Sequence, residues 1–212
     1  MRSKKSGPTF IEQARRAQIV AAAIEVIAAA GYPRTSIAKI ADHVGIAKSV
    51  VLYHFATKDA LVTAIVEDVL TRGAAVMVPA MAAQTTAMGK LTAYIRANMQ
   101  FMQVNKRDTV AVLEIISGFR TEAGLRLDQK LEQDTAAAPP QGNLALLDPV
   151  AILELGVRRG EFRELSPILV RNALRAALDG AAWELGRDPD YDVVAYGEEL
   201  VEIFIRAIRR DP

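Results

Sequence analysis

The sequence predicts an all-α protein, with a small three-helix unit at the N-terminus followed by a larger helical unit. Three observations carry this expectation. Half of the 212 residues (51%) are hydrophobic but only 6% are aromatic, a balance that builds a large aliphatic core and leans away from a β-sandwich. Apolar residues recur at helical spacing along most of the chain. No segment alternates convincingly as a strand would, and no internal repeat is visible.

The elements follow in order. Thr9 with Glu12 has the form of a capping box. It opens a helix carrying Ile19, Ala22, Ala23, Val26 and Ile27 on one stripe, with Gly31 as its stop. Pro33, Arg34, Thr35 and Ser36 form a turn that ends in an N-cap. Ile37, Ile40, Ala41 and Val44 give a short helix halted by Gly45, and a second short helix is expected over residues 47–54. Thr57 caps a long helix with Leu61, Ile65, Val69 and Val76 on its stripe, expected to end near Pro79. Residues 80–89 are small and polar and read as a loop or frayed end. Leu91, Tyr94, Ile95, Asn98 and Met102 begin the next helical stripe, followed by Val112, Ile115, Ile116 and Phe119. A further helix is expected over residues 122–133 and a loop over 135–143. Pro149 suits the first turn of a helix that stops near Gly160. Two long helices over residues 167–185 and 192–209 close the chain.

Composition narrows the chemistry. With no cysteine, disulfides, thiolate nucleophiles and Cys-ligated metals are excluded, and His43 and His54 are the only histidines. The acids of the C-terminal two thirds, such as Glu114 and Glu154, have no His or Cys partner and no Glu-x-x-His spacing. We therefore expect no catalytic residue, no metal and no cofactor. Residues 73–89 are uncharged but contain Pro79, Gln84, Thr85 and Thr86, and fall short of the roughly 20 strongly apolar residues of a membrane span. Glu12, Arg15 and Arg16 interrupt what would be a signal-peptide apolar region, so a cytoplasmic protein is expected.

The net charge of +1 is a sum of unlike parts. Residues 1–58 hold nine Lys/Arg against three acids, 9 − 3 = +6, and the remainder holds 17 against 22, 17 − 22 = −5. Such asymmetry points to a polyanionic partner for the N-terminal part. The plain alternative is a solvated basic face, and pattern decides between them. Residues 35–61 contain two short helices joined by a tight turn on Gly45, the spacing of a helix-turn-helix. The second helix presents Lys48, Ser49, Val50, Tyr53 and His54 within two turns, groups suited to phosphates and base edges in a major groove about 12 Å wide. Lys58 follows the Thr57 cap, where a cation and a positive helix end jointly attract phosphate. Thr35 and Ser36 are caps able to donate to phosphate as well. Lys4 and Lys5 are read either as a flexible arm on the duplex or as solvated charge. Tyr53 and His54 have a packing alternative, and Arg15 and Arg16 are expected to face solvent.

These residues resemble the tetracycline-repressor-like (TetR-type) transcriptional regulators. The matching text is residues 22–32, then Thr35-Ser36-Ile37-Ala38-Lys39-Ile40-Ala41, Val44-Gly45-Ile46-Ala47-Lys48-Ser49, Val51-Leu52-Tyr53-His54-Phe55 and Lys58-Asp59-Ala60-Leu61. The resemblance covers about residues 10–70. It implies that Lys48 and Ser49 begin the recognition helix, that Tyr53, His54 and Lys58 touch the DNA backbone, and that Phe55 is core. Two positions depart from the family pattern. Ala47 replaces the usual Ser or Thr, losing a cap worth about 1 kcal/mol that Ser49 is positioned to replace in part. Leu52 stands where an aromatic is common.

The resemblance further implies a DNA-binding domain over residues 1–58 (basic arm 1–8) and a helical effector-binding and dimerisation domain over 59–212. Leu169, Ala173, Ala176, Gly180 and Trp183 form one stripe of the penultimate helix, and Leu200 and Phe204 lie on the last. Leu169, Ala173, Ala176, Gly180, Leu200 and Phe204 are the expected homodimer contacts, forming a four-helix bundle. Two DNA half-sites about 34 Å apart favour a dimer over a monomer. Met77, Tyr94, Asn98, Met102, Phe119 and Trp183 are candidate walls of a pocket for a small, largely apolar effector, against the plain reading that they are core. The expected function is a repressor of operator DNA, released when an effector shifts the helix beginning at Lys58 and separates the two recognition helices. A dimeric DNA-binding scaffold without a ligand is the alternative, and a helical enzyme a more distant one.

Overall fold

The computed structural model describes residues 9–121, 123–137 and 141–210. The basic arm expected at residues 1–8 lies outside them. Ten α-helices occur among the described residues: α1 Phe10–Ala30, α2 Ile37–Val44, α3 Lys48–His54, α4 Lys58–Ala82, α5 Ala87–Val104, α6 Lys106–Gly118, α7 Leu127–Ala137, α8 Val150–Arg158, α9 Pro167–Arg187 and α10 Val193–Ile208. Short 3-10 segments occupy Tyr32–Arg34 and Gly142–Leu147. The only β pairing among the described residues is an isolated antiparallel bridge between Phe162 and Arg209.

Helix starts follow the capping chemistry of the sequence. Thr9 and Glu12 form the expected capping box, and the side chains of Ser36, Thr57, Thr86, Ser166 and Asp192 accept backbone N–H groups at the starts of α2, α4, α5, α9 and α10. Ala47 leaves α3 without any side-chain cap, Ser49 included. Gly45 ends α2 in the left-handed region at φ 74°, a conformation open to glycine for want of a Cβ.

Several boundaries differ from expectation. Helix α4 continues past Pro79 to Ala82. A proline forgoes one backbone bond, and in the last turn little ladder remains to be lost. The expected loop at 80–89 shrinks because Thr86 caps α5 and the Glu161 carboxylate accepts the N–H groups of Ala87 and Met88 at 3.1 and 2.9 Å. Helix α7 starts later than 122, because Gly124 at φ 80° closes a turn with Thr121 and Leu125. It then runs through part of the expected 135–143 loop, of which 138–140 lie outside the described residues. Val76 is exposed, and Met77 takes its place in the core.

Two hydrophobic cores are stacked along α4. The first holds α1, α2, α3 and the N-terminal half of α4, through Ile19, Ile27, Ile40, Val51, Phe55, Leu61 and Ile65. It also takes in Ala111, Ile115, Phe119 and Leu127, so α6 helps to build the N-terminal unit. The second gathers Met77 and Met81 of α4 with α5, α8, α9 and α10. Close approach is built in at Gly156, where a Cβ would lie 2.0 Å from the buried Phe162 ring.

Candidate nucleic-acid interface and effector cavity

Helix α3 is held by its inward side alone. Val51 and the following Phe55 are fully buried, while Lys48, Ser49, Val50, Leu52 and Tyr53 face outward. Tyr53 is 74% exposed. Its hydroxyl donates to Glu12 Oε1 at 3.3 Å, and its ring meets the half-buried His54 edge-on at 5.1 Å. Helix α3 therefore offers a cation, a hydroxyl, a phenol and a small apolar surface on one side, a set suited to a DNA groove.

Two residues expected on this surface are turned away from it. Thr35 is buried, its hydroxyl donating to the Gly31 carbonyl at 2.9 Å, and the cap of α2 belongs to Ser36 alone. Lys58 folds back, with Nζ 3.1 Å from the Tyr32 carbonyl and 3.8 Å above the Tyr32 ring centroid. Desolvation pulls its pKa down, opposed by Asp59. The reason is geometric: the first turn of α4 lies over the Tyr32 turn, so the aliphatic stem reaches that carbonyl.

Several cations of this unit are positioned by neutral acceptors. Arg34 donates to the Ala30 carbonyl at 2.8 Å, Lys39 to that of Arg34 at 2.8 Å, and Arg15 to Gln18 at 2.7 Å. Arg16, expected in solvent, donates to the His54 carbonyl and lies 4.2 Å from the Phe55 ring centroid. It caps the C-terminal end of α3, where a cation meets the negative end of a helix. Binding to carbonyls fixes these groups without cancelling their charge, so the +6 segment keeps its positive field. Glu25 is engaged by His43 at 2.8 Å.

A cavity of about 140 Å³ lies where the two cores meet. Val69, Leu70 and Gly73 of α4, Phe101 of α5, and Val112 and Ile116 of α6 line the end toward the first core. Met77, Tyr94, Met102, Leu147, Leu178 and Ala182 line the other. Asn98, Thr109, Arg175 and Asp179 supply the polar groups. Asn98 Nδ2 has Met77 Sδ at 3.8 Å, a weak acceptor that leaves the amide able to serve a ligand. Burial pushes the Tyr94 phenol and the Asp179 carboxyl upward in pKa.

Of the residues expected at a pocket, Met77, Tyr94, Asn98 and Met102 are brought together. Phe119 and Trp183 are not. Phe119 follows the last turn of α6 and packs in the first core, 6.1 Å from the Tyr32 ring. Trp183 is on the outer side of α9 and is 51% exposed. Sequence reasoning missed Arg175 and Asp179, although two opposite charges four residues apart on a mostly apolar helix were a visible signal.

Helix α6 touches both sites. Its Thr109, Val112, Leu113 and Ile116 face the cavity. Its Glu114 carboxylate accepts the Tyr32 N–H at 3.3 Å, and a Cβ at Gly118 would lie 3.1 Å from the Tyr32 ring. Tyr32 is thus held by α6 on one side and by Lys58 on the other.

The outer surface of α9 and α10 carries several exposed apolar side chains among charged ones. Ile168, Leu169, Trp183 and Ile203 are large and exposed, and Ala173 and Ala176 lie among them. Three expected dimer residues are occupied within the chain. Leu200 is buried and Phe204 half-buried in the second core. Gly180 is covered by Tyr196, whose hydroxyl would lie 3.0 Å from a Cβ there. Ile203, which the sequence reading passed over, is exposed instead.

Among the described residues no helix is long and apolar enough to cross a membrane, and no group of three or more His, Asp or Glu could hold a metal ion.

A helix-turn-helix with an outward α3, joined through α4 and α6 to a cavity-bearing helical body, is the architecture of a DNA-binding transcriptional regulator. Residues 19–65 match the family model of bacterial regulatory proteins of the tetR family. It is similar to the fatty acid metabolism regulator protein of Bacillus subtilis (strain 168), 26% identical over 195 residues, spanning 90% of this chain and 94% of that one. Among solved structures, the fatty acid degradation regulator FadR from Bacillus halodurans aligns with TM-score 0.73 and 20% identity, over 91% of this chain and 99% of that one. FadR from Bacillus subtilis, solved in complex with stearoyl-CoA, aligns with TM-score 0.73 and 22% identity over the same shares.

Proposed function

We propose that this chain represses transcription as a homodimer on operator DNA and leaves the operator when an acyl-chain effector enters the cavity between the two cores. The observation that carries this reading is the position of α6, with Val112 and Ile116 on the cavity and Glu114 on the Tyr32 turn. The two FadR proteins and the fatty acid regulator of Bacillus subtilis support an acyl effector.

The cavity's size favours coupling. About 140 Å³ is below the roughly 300–1,000 Å³ of pockets for drug-sized ligands. A long chain fits only if α4, α5, α6 and α9 spread. The ligand therefore prefers a wider state, and differential affinity for two states is what shifts an equilibrium. Moving α6 displaces Glu114, and with it the Tyr32 turn on which Lys58 and the start of α4 rest. In a dimer joined through the exposed apolar side chains of α9 and α10, that movement changes the spacing of two α3 helices. Two half-sites are then no longer matched at once.

The test is DNA release. Operator fragments selected from genomic DNA, labelled and bound to the protein, are titrated with acyl-CoAs of increasing chain length, with fluorescence anisotropy as readout. Release by an acyl-CoA, with CoA alone inert, is the expected result. Unchanged DNA affinity at saturating acyl compound would overturn the effector reading.

A further inference from the structure

Helix α9 carries an arginine on its inward side for which neither the fold nor the DNA interface has a use. Arg171 precedes Arg175 by one turn, Leu178 by two and Ala182 by three, and the last three all line the cavity. Spacing of i, i+4, i+7 and i+11 puts the four residues on one face of a helix. Arg171 thus lies on the cavity-facing side of α9, one turn nearer the helix start than the lining residue Arg175. Its Nε is buried and has no hydrogen-bond partner. A buried guanidinium N–H left unpaired is costly, and a polar group held in that state beside a cavity is poised for a ligand.

The neighbouring charges are already engaged. Arg175 Nε is 3.6 Å from Asp179 Oδ1 in the same helix. Asp148 Oδ1 accepts the Val150 N–H at 3.0 Å, at the start of α8. Tyr94 lines the cavity together with Arg175 and Asp179, and feels the charges of Arg171, Arg175, Asp148 and Asp179. The end toward the first core is Val69, Leu70, Phe101, Val112 and Ile116. Thr109 is there too, but its hydroxyl already donates to the Asn105 carbonyl at 3.1 Å. The site is therefore polarised, with a cationic donor at the α9 end and an aliphatic surface at the α6 end.

We propose that the effector is an anionic amphiphile whose carboxylate or phosphate is held by the Arg171 guanidinium, with its apolar tail directed at α6. This deepens the effector reading above and rests on it. A planar guanidinium with an unused N–H matches either oxyanion. Head-group capture sets how far the tail reaches, and the tail end meets Val112 and Ile116, on the helix that holds the Tyr32 turn. Chain length then decides how hard α6 is pushed.

Three ten-carbon ligands separate the possibilities by isothermal titration calorimetry: decanoate, decanoyl-CoA and 1-decanol, each against the wild type, Arg171→Gln and Arg171→Lys. The expected result is that the wild type binds at least one of the two anions roughly tenfold or more tighter than the alcohol. Preference for decanoate assigns a carboxylate head, and preference for decanoyl-CoA a phosphate. Arg171→Gln removes that preference while leaving the alcohol's affinity and effector-free DNA binding in place, and Arg171→Lys keeps part of it. An anion bound equally well by Arg171→Gln, an equal loss for alcohol and anion, or no anion preference in the wild type each overturns the head-group assignment alone. No binding of any of the three to the wild type overturns the acyl-effector reading with it.

Discussion

The Lys58 ammonium is clamped between the carbonyl and the ring of Tyr32, at 3.1 and 3.8 Å. The lysine that opens α4 is thus a structural link between the N-terminal helical unit and the helix that enters the second core, and its charge is fixed in an inward position. Lys48, exposed at the start of α3, has no such tie to Tyr32. The two lysines should behave differently on DNA. Lys48→Ala is expected to weaken operator binding and to lower the slope of log K against log salt by about 1, the signature of one lost phosphate contact. Lys58→Ala should lower thermal stability and leave that slope nearly unchanged. A slope lowered equally by both would return Lys58 to the DNA surface.

Tyr32 gives the same clamp a pH signature. Burial first, and Asp59 second, push its phenol up to about 12 from 10.0. A group whose folded pKa is raised contributes stability that is complete below its unfolded pKa and is lost as pH rises toward the folded value. Stability should therefore fall between about pH 10 and 12 from this group. Lys58 acts oppositely, because its pKa is lowered by burial and its contribution grows as pH rises through its own range. Thermal melts of the wild type and Tyr32→Phe over pH 8–12 resolve the pair: the phenylalanine variant should lose less stability above pH 10. Parallel curves would show that Tyr32 is not the group responsible.

Much of the N-terminal unit was legible because its signals are local. Thr9 with Glu12, Ser36, Gly45 and Thr57 each act within a turn or two of their own position, and periodicity found the helices between them. What remained hidden depends on residues far apart in sequence. Arg16 reaches His54, Lys58 reaches Tyr32, and Tyr32 reaches Glu114. The sensor was less legible because an apolar stripe does not say what it faces. Phe119 and Met77 share a chemistry but belong to different cores, and of Leu200 and Ile203, neighbours on α10, the first is buried and the second exposed.

Glu114 is predicted to transmit the effector signal without making the DNA contact. Glu114→Ala removes the acceptor of the Tyr32 N–H and leaves α3 untouched. Operator affinity without effector should stay within about threefold, while the effector's weakening of DNA binding shrinks, as expected for a lost share of a coupling that is typically 5–150-fold. Anisotropy titrations with and without a saturating acyl-CoA measure both quantities. A full effector response in this variant would route the signal through α4 alone.

The exposed Ile203 and Trp183 provide the test of assembly. Large apolar side chains gathered on an outer surface mark an interaction site, and a charge placed there opposes a symmetric contact twice over, once from each subunit. Ile203→Glu is expected to give a folded monomer by sedimentation, with far-ultraviolet circular dichroism unchanged and operator affinity greatly reduced. Leu200→Ala, by contrast, should cost about 2–5 kcal/mol of fold stability, because Leu200 is in the core. A dimer that survives Ile203→Glu would place the subunit contact elsewhere on the molecule.

Gly73 lines the cavity in the middle of α4, where a Cβ would find the Phe101 ring at 3.8 Å, an ordinary contact. Alanine there costs nothing sterically and raises helix propensity by about 1 kcal/mol. The added methyl also fills part of a space that the effector needs. Gly73→Ala is therefore predicted to be more stable by up to about 1 kcal/mol, to bind operator as the wild type does, and to need more effector for release. Denaturant unfolding measures the first effect and effector titration of the DNA complex the second. The two effects arise from one methyl group acting on different states: it stabilises the narrow, DNA-binding arrangement and is in the way of the wide one. A variant that gains stability and yet responds to effector at wild-type concentrations would show that the ligand does not occupy the seam between the two cores.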